Sequence, residues 1–342
     1  MLVSRGGIRG VIMVEILYVI EREFMGKTFE SIDRHVTVPS AYLPVRSEAR
    51  GCSDTISEID VDDITDINRN VRTIDPAVVV YNHRYRIKDI DFYDEYPLVH
   101  VRHGASIGRG ERTVTAETIR HAVAVALAPG ERWARRYRAA FSDDTRVAVV
   151  GIPEADDLVT TDAPREKRVL YAPTNHNYGG GSYLNTAKAV LDTFADAEYE
   201  LLFRPHPMDR IEEPGRSLTR ACKKRISTLP NVTFDENPTP NASMRVADLL
   251  VSDYSGIIAE WLHTERPLIQ LTDIATEENV VPEIGYATSV VDFDISSVGD
   301  LYERGYPDSI AEREAARRAE LGIPMDGRAG ERAAKEVLAC RQ

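Results

Sequence analysis

The chain has 342 residues, enough for two α/β domains that each bury their own core. With 43% hydrophobic and 28% charged residues it reads as a soluble globular protein, and a net charge of −13, from 55 acidic against 42 basic residues, argues against nucleic acid as a general partner. Three scattered cysteines, Cys52, Cys222 and Cys340, offer neither a disulfide framework nor a zinc site and fit a reducing, cytoplasmic compartment.

The opening MLVSRGGIRGVIMVEILYVI has the outline of a signal sequence, but Glu15 interrupts the apolar run and no small-residue cleavage site follows. It is also too short to span a bilayer, so VEILYVI is predicted as a first strand, with Met13 as an alternative start. Short β-rich runs then recur, each followed by a polar turn and a helical stretch, which predicts parallel βα units. Strands are expected at Val14–Ile20, Ala77–Tyr81, Leu98–Arg102, Ala122–Ala128 and Val147–Val150, with helices at Asp62–Thr73, Thr115–His121 and Glu131–Ala140. Arg34–Ile59 carries Pro39, Pro44 and Gly51 and receives no assignment.

A stretch rich in Pro, Asp and Thr, GIPEADDLVTTDAPREKR, marks a boundary, after which the rhythm restarts. Strands are predicted at Val169–Ala172, Glu200–Arg204, Val232–Phe234, Leu249–Ser252 and Leu268–Gln270. Helices follow at Tyr183–Phe194, Leu218–Ser227, Ser243–Val246 and Gly256–His263, and the tail GRAGERAAKEVLACR is a good helix former. Two open α/β domains joined by a linker imply a cleft, with ligands beyond the carboxyl ends of the strands, so the loops after strands are where chemistry is expected.

Four such loops carry candidate residues. PLVHVRHGASIGRGER delivers Arg102, His103 and Gly104 from a strand end; His103 fits a general base near neutral pH or a satisfied loop histidine, and the glycines match neither the Walker nor the dinucleotide fingerprint. LLFRPHPMDR ends a buried strand in Arg204 and sets His206 between Pro205 and Pro207, which restrict the backbone on both sides; a rigid turn with a surface histidine is the plain alternative. RVLYAPTNHNYGGG places Thr174, Asn175 and His176 after a strand, with Gly179–Gly181 as a mobile loop and His176 itself read as a flexible surface residue. In VADLLVSDYSGIIAEWLH a strand runs into Asp253, Tyr254, Ser255 and Gly256 where a helix begins. Unpaired N–H groups, a hydroxyl and a positive helix end make a phosphate cradle that needs no lysine, with Glu260 one turn along for a ribose. A plain serine N-cap, worth about 1 kcal/mol, fits the same residues equally well. No metal-ligand spacing and no GxSxG elbow occurs, so neither metal nor cofactor is expected.

In order, VRHG, GIPEAD, LYAPT, RPHP, SDYSG and DGRAGER resemble the motif series of the CDP-glycerol glycerophosphotransferase family, the teichoic-acid polymerases and primases. That series runs from a strand followed by HG, through GxPRxD, LYAPT, a strand ending in HP and TDYSS before an apolar helix, to a closing DGxAxER. The resemblance covers roughly residues 97–335, with Gly256 in place of the second serine, no arginine in GIPEAD, and Asn175–His176 where an aromatic or basic pair is usual. It implies a GT-B-like fold of two Rossmann-like domains facing a cleft: an acceptor-side domain over 1–155 and a nucleotide-donor domain over 156–342. It implies a CDP-linked polyol donor whose pyrophosphate lies at Ser255 and Gly256 with Arg204 and His206 nearby, Glu260 on the ribose, and Arg102, Gly104, Thr174, Asn175, Asp253 and Tyr254 around the substrates. His103 would take the proton of an acceptor hydroxyl as it attacks the β-phosphorus, and His206 would stabilise charge on the phosphoryl oxygens or the departing CMP. The acceptor would be a glycan, lipid-linked or polymer hydroxyl, which would bring a cytoplasmic protein into peripheral contact with the inner membrane face. A GT-B glycosyltransferase, a nucleotide-sugar epimerase and a non-catalytic nucleotide-binding relative share the same outline.

Overall fold

In the computed structural model, the structure describes residues 13–22, 25–46, 58–61, 63, 65–82, 90–102, 105, 123–159, 166–177, 181–273, 284–304, 318 and 321–341. The predicted helix at Thr115–His121, the GASIGRG glycines, Gly179, Gly180, Cys52, His103 and Gly104 lie outside them. The described residues divide into two compact units. Among them, the first holds the chain up to Asp156 except Ala105 and returns from Gly322 onward; the second is built on Asp157–Leu321 together with Ala105.

The first unit contains β1 (Ile16–Ile20), α1 (Gly26–Asp33), β2 (Ser40–Pro44), α2 (Ile67–Ile74), β3 (Val78–Tyr81), β4 (Leu98–Val101), β5 (Val125–Ala128), α3 (Glu131–Ala140) and β6 (Arg146–Val149). Its six strands pair in parallel in the order β2-β1-β3-β4-β5-β6, with Ile16 opposite Ser40 on one side and Val78 on the other. β1, β3, β4 and β5 are buried at every position, the pattern of parallel strands covered on both faces, which is why their sequences are near-continuous apolar runs, broken in β4 by the buried His100. β2 falls in the stretch left unassigned, because SAYLP carries a proline that only an edge strand tolerates, and β2 is the edge.

The second unit contains β7 (Arg168–Tyr171), α4 (Tyr183–Phe194), β8 (Glu200–Phe203), α5 (Pro207–Ile211), α6 (Gly215–Ile226), β9 (Val232–Phe234), α7 (Asn241–Val246), β10 (Leu249–Ser252), α8 (Ile257–Trp261), β11 (Leu268–Leu271), β12 (Tyr286–Thr288) and α9 (Ile295–Arg304). Its strands, again all parallel, run β12-β11-β10-β7-β8-β9. Strand order reverses between β7 and β10, so the loops after these two strands flank the topological switch point where doubly wound sheets bind ligands. Tyr171, Tyr183, Phe194 and Phe203 are fully buried in the core that anchors these strands.

The tail helix, α10 (Ala329–Leu338), corrects the domain expectation: it belongs to the first unit, not to a continuous second domain over 156–342. Ala333, Ala334 and Val337 complete the core around Ile16, Tyr18 and Phe29. Two of the family-like motifs make this return: the Asp156 carboxylate of GIPEAD accepts from the N–H groups of Ala329 (2.9 Å) and Gly330 (2.7 Å) in DGRAGER, and Arg332 donates to the Val150 carbonyl at 2.8 Å. Gly151, at φ 100°, makes the turn that a side chain would strain.

At Gly330 α10 touches α1 so closely that an added Cβ would lie 2.2 Å from the Ser31 carbonyl oxygen. Gly330→Ala is therefore expected to cost roughly 1–3 kcal/mol by forcing the helices apart, read as a lower midpoint in denaturant with an unchanged slope. Wild-type stability in this variant would show that the crossing yields without cost.

Candidate functional site

The strand β10 ends in Ser252, and the chain then turns through Asp253, Tyr254 and Ser255 before α8. Asp253 is fully buried, and its carboxylate accepts from the Thr174 N–H (2.9 Å) and hydroxyl (2.7 Å), the Ser182 N–H (3.3 Å) and hydroxyl (2.6 Å), and the Ser255 N–H (3.0 Å). Predicted as substrate-binding, Asp253 and Thr174 are instead turned toward each other: one carboxylate clamps the LYAPT loop, the start of α4 and the SDYSG turn. Tyr254 is 1% exposed and packs in the interior.

The plain serine N-cap is not what the structure shows at Ser255. Gly256 occupies the N-cap position, no side chain caps α8, and among the described residues the Ser255 hydroxyl takes no hydrogen bond, so Ser255 is not a side-chain N-cap. Ser255 and Gly256 are half-buried, beside the switch point. Glu260 follows in α8 and is 4% exposed.

His206 is held as the flanking prolines suggest. It is the N-cap of α5, with Pro207 at the first helical position, and its Nδ1 accepts from the Met208 N–H at 3.2 Å. Asn175 Nδ2 lies 3.2 Å from the same nitrogen, and Asn175 Oδ1 accepts the Asn177 N–H at 2.6 Å. Asn175 is 1% exposed, so this amide sits within the protein, against the imidazole. The loop after β7 thus ties the loop after β10 through Thr174 and the loop after β8 through Asn175.

Arg204, expected near the pyrophosphate, is 6% exposed, and its Nη1 donates to Asp235 Oδ2 (2.7 Å) and the Asn237 carbonyl (2.9 Å). It braces the loop after β9 rather than presenting its guanidinium to an anion. Arg102 follows β4 in the first unit and stacks on the Trp133 ring, 4.1 Å from its centroid, a cation–π contact that gives it a packing role. His103 and Gly104 lie outside the described residues. His176 is not the exposed loop residue that the sequence suggests: its ring bonds the buried Asp209 carboxylate through Nδ1, and Nε2 lies 3.2 Å from the Glu213 carbonyl. Asp209, missed in sequence, sits three residues past His206 in the same turn; burial pushes its carboxyl above the ordinary range even with His176 beside it. Ser182 and Asp235 were missed as well, because nothing in a lone Ser or Asp marks its partner far along the chain. Among the described residues no group of three or more His, Cys, Asp or Glu side chains is arranged to hold a metal.

Asp253→Asn places an amide N–H against donors and is expected to cost at least ~3 kcal/mol, with Thr174 and Ser182 left unpaired in the interior; denaturation that matches wild type would remove Asp253 as the clamp. At Asp235 burial acts to raise the carboxyl, but the Arg204 charge and the Ser243 hydroxyl outweigh it and hold it below its ordinary value. The unfolded chain therefore binds more protons at Asp235, so the pair's stabilisation is complete above the ordinary value of 3.8 and is lost as pH falls through the lower native value. Stability measured from neutral pH downward should fall more steeply in wild type than in Asp235→Asn over that acid range; parallel profiles would contradict it.

The sequence model of the family described as CDP-glycerol:poly(glycerophosphate) glycerophosphotransferase matches residues 92–275. No curated protein sequence matches the chain. Among solved structures, a histidine variant of the wall teichoic acid polymerase TagF aligns at TM-score 0.67 and 12% identity over 96% of this chain and 89% of that chain. A TagF variant soaked with CDPG aligns at TM-score 0.63 and 13% identity over 95% and 88%, and the S. aureus MnaA–UDP co-structure at 0.61 and 15% over 93% and 94%. At such identities these likenesses establish the fold, the two-unit GT-B-like α/β architecture anticipated from the motifs. The family match spans more than half of the chain and takes in LYAPT, RPHP and SDYSG, so the chain belongs to the CDP-glycerol:poly(glycerophosphate) glycerophosphotransferase family and is a transferase.

Proposed function

We propose that this transferase moves a polyol phosphate, such as glycerol phosphate, from a CDP-linked donor to a hydroxyl of a cell-surface polymer or glycan, releasing CMP. The observation that carries this reading is the tie between three strand ends of the second sheet: the loop after β7 fixes SDYSG through Thr174–Asp253 and His206 through Asn175. These loops flank the switch point, where a nucleotide belongs in this kind of sheet. Ser255 and Gly256 supply a hydroxyl and an N–H for the pyrophosphate, His206 an imidazole for the phosphoryl oxygens or the departing CMP, and Glu260 a carboxylate for the ribose.

The acceptor oxygen attacks the β-phosphorus, the bond from that phosphorus to the CMP oxygen breaks, and the hydroxyl proton passes to His103. Phosphoryl transfer is carried mainly by positioning and by electrostatic stabilisation of the transferring group, and residues already fixed in the fold suit both. The UDP-sugar epimerase reading rests on fold likeness alone, whereas the family match speaks for the glycerophosphotransferase. A nucleotide donor places the reaction in the cytoplasm, and membrane contact would come through a lipid-linked acceptor; no helix among the described residues is long and apolar enough to cross a membrane.

Incubation with CDP-glycerol, CDP-ribitol and UDP-N-acetylglucosamine, with released nucleotide measured, tests the proposal. CMP release in the presence of a polyol-phosphate acceptor is expected, falling by ~100-fold or more in His103→Ala and His206→Ala while both remain folded. Ser255→Ala should weaken donor binding about 10-fold or more, since a hydrogen bond to a charged phosphate is lost, with little effect on the fold. UDP release, or wild-type turnover in either histidine variant, would overturn the assignment.

A further inference from the structure

We propose that Asn175 is a positioning residue that fixes the proton of His206 on Nε2, making the imidazole a neutral N–H donor toward the transferring phosphoryl group. This rests on the function proposed above for His206. The chain of reasoning starts at a backbone group, whose polarity is not in question. The Asn177 N–H is a donor and lies 2.6 Å from the Asn175 side chain, so the atom facing it is the amide oxygen. The other end of the amide is then the NH2 group, and it faces His206 Nδ1 at 3.2 Å. A second donor of fixed polarity, the Met208 N–H, reaches the same nitrogen at 3.2 Å. Two N–H groups converge on one ring nitrogen, which can only accept; the hydrogen of the neutral ring is therefore on Nε2.

The amide has no room to turn away. Asn175 is 1% exposed, and the backbone beneath it is closed by Gly181, where an added Cβ would lie 2.0 Å from the Asn175 carbonyl oxygen. On one side Thr174 is clamped by Asp253, and on the other His176 is bonded to Asp209 and faces the Glu213 carbonyl. The charged and titratable groups packed about this turn include Asp253 on the β10 side and, on the α5 side, His176, Asp209, Glu212, which accepts from Asn177 at 2.6 Å, and Arg210, which donates to the Pro205 carbonyl at 3.2 Å. At His206 Nδ1 the Asn175 amide and the Met208 N–H are both donors. For the reaction, a Nε2–H imidazole can donate to a phosphoryl oxygen as negative charge grows there, without a prior proton transfer.

The test is the ring-nitrogen spectrum of His206 in the full chain labelled with 15N-histidine, assigned by the signal lost in His206→Gln. Wild type is expected to show the Nε2–H tautomer near neutral pH. Asn175→Asp turns the facing group from donor to acceptor and should draw a hydrogen to Nδ1, with kcat for CMP release down ~10-fold or more and KM for CDP-glycerol little changed. Asn175→Ala removes one donor and leaves Met208, so the tautomer should persist and kcat should fall only about 5-fold. A wild-type Nδ1–H tautomer would overturn the proposal even if a variant proved unstable. So would a loss that falls on KM with the tautomer unmoved in Asn175→Asp, which would make Asn175 a substrate ligand. Failure of the wild type to release CMP from CDP-glycerol would instead remove the assigned reaction, while the spectrum would still decide what Asn175 does to His206.

Discussion

The candidate site depends on one buried carboxylate. Asp253 is fully buried and is compensated entirely by hydrogen bonds, five of them from three residues that come from different places in the chain. A carboxylate stripped of water is costly unless its lone pairs are satisfied, so the arrangement of Thr174, Ser182 and Ser255 around it is a condition for the fold rather than an ornament of it. Those donors are the LYAPT loop, the first residue before α4 and the serine that precedes α8. Whatever binds at the switch point therefore meets loops whose relative positions were set when the second unit folded, and little ordering cost remains to be met on binding.

The same logic separates the residues that hold from those left to act. Thr174, Arg204 and Asp253 all use their polar groups within the protein, and Tyr254 is packed in the interior. Ser255 differs: its N–H is used on Asp253, while its hydroxyl takes no partner among the described residues. With Gly256 at the N-cap position, α8 starts without the side-chain cap that a serine there would supply, worth about 1 kcal/mol. Ser255 is therefore not a side-chain cap of α8, and on the proposed reading its hydroxyl is left for the donor.

Much of this was legible beforehand, and the parts that were not share a cause. The parallel βα rhythm, the strands that build both cores and the location of the candidate loops follow from apolar runs ending in polar turns, a signal local in sequence. His206 between two prolines was likewise readable as a fixed imidazole. What sequence could not supply was partnership at a distance: Arg204 and Asp235, His176 and Asp209, Asp156 and the start of α10 are separated by 31, 33 and 173 positions. A buried arginine and an anion-binding arginine look alike as letters. The tail helix was misplaced for the same reason: its Ala-rich face matches many cores, and only the close approach of Gly330 to Ser31 says which one it closes.

The glycines show how the second unit reconciles a tight site with charged residues. GGG after the LYAPT loop reads as a mobile stretch, yet Gly181 is buried with the Asn175 backbone where its side chain would be. Gly215 opens α6 with room for the Asp209 carboxylate and the His176 ring, since a Cβ there would lie 2.4 Å from one and 2.9 Å from the other. Both positions admit a neighbouring polar group where a side chain would exclude it. Their absence of side chain lets the Asn175–His176 pair reach His206 on one side and Asp209 on the other, so two adjacent residues brace the turn that presents the imidazole. On the proposed reading, a histidine fixed in this way keeps one tautomer, and a transferring phosphoryl group would meet a donor already in place. Short motifs can serve chemistry that asks for little beyond placement because they carry their own bracing: Thr174 in LYAPT, Arg204 in RPHP and Asp253 in SDYSG hold the loops on which the proposed acting groups sit.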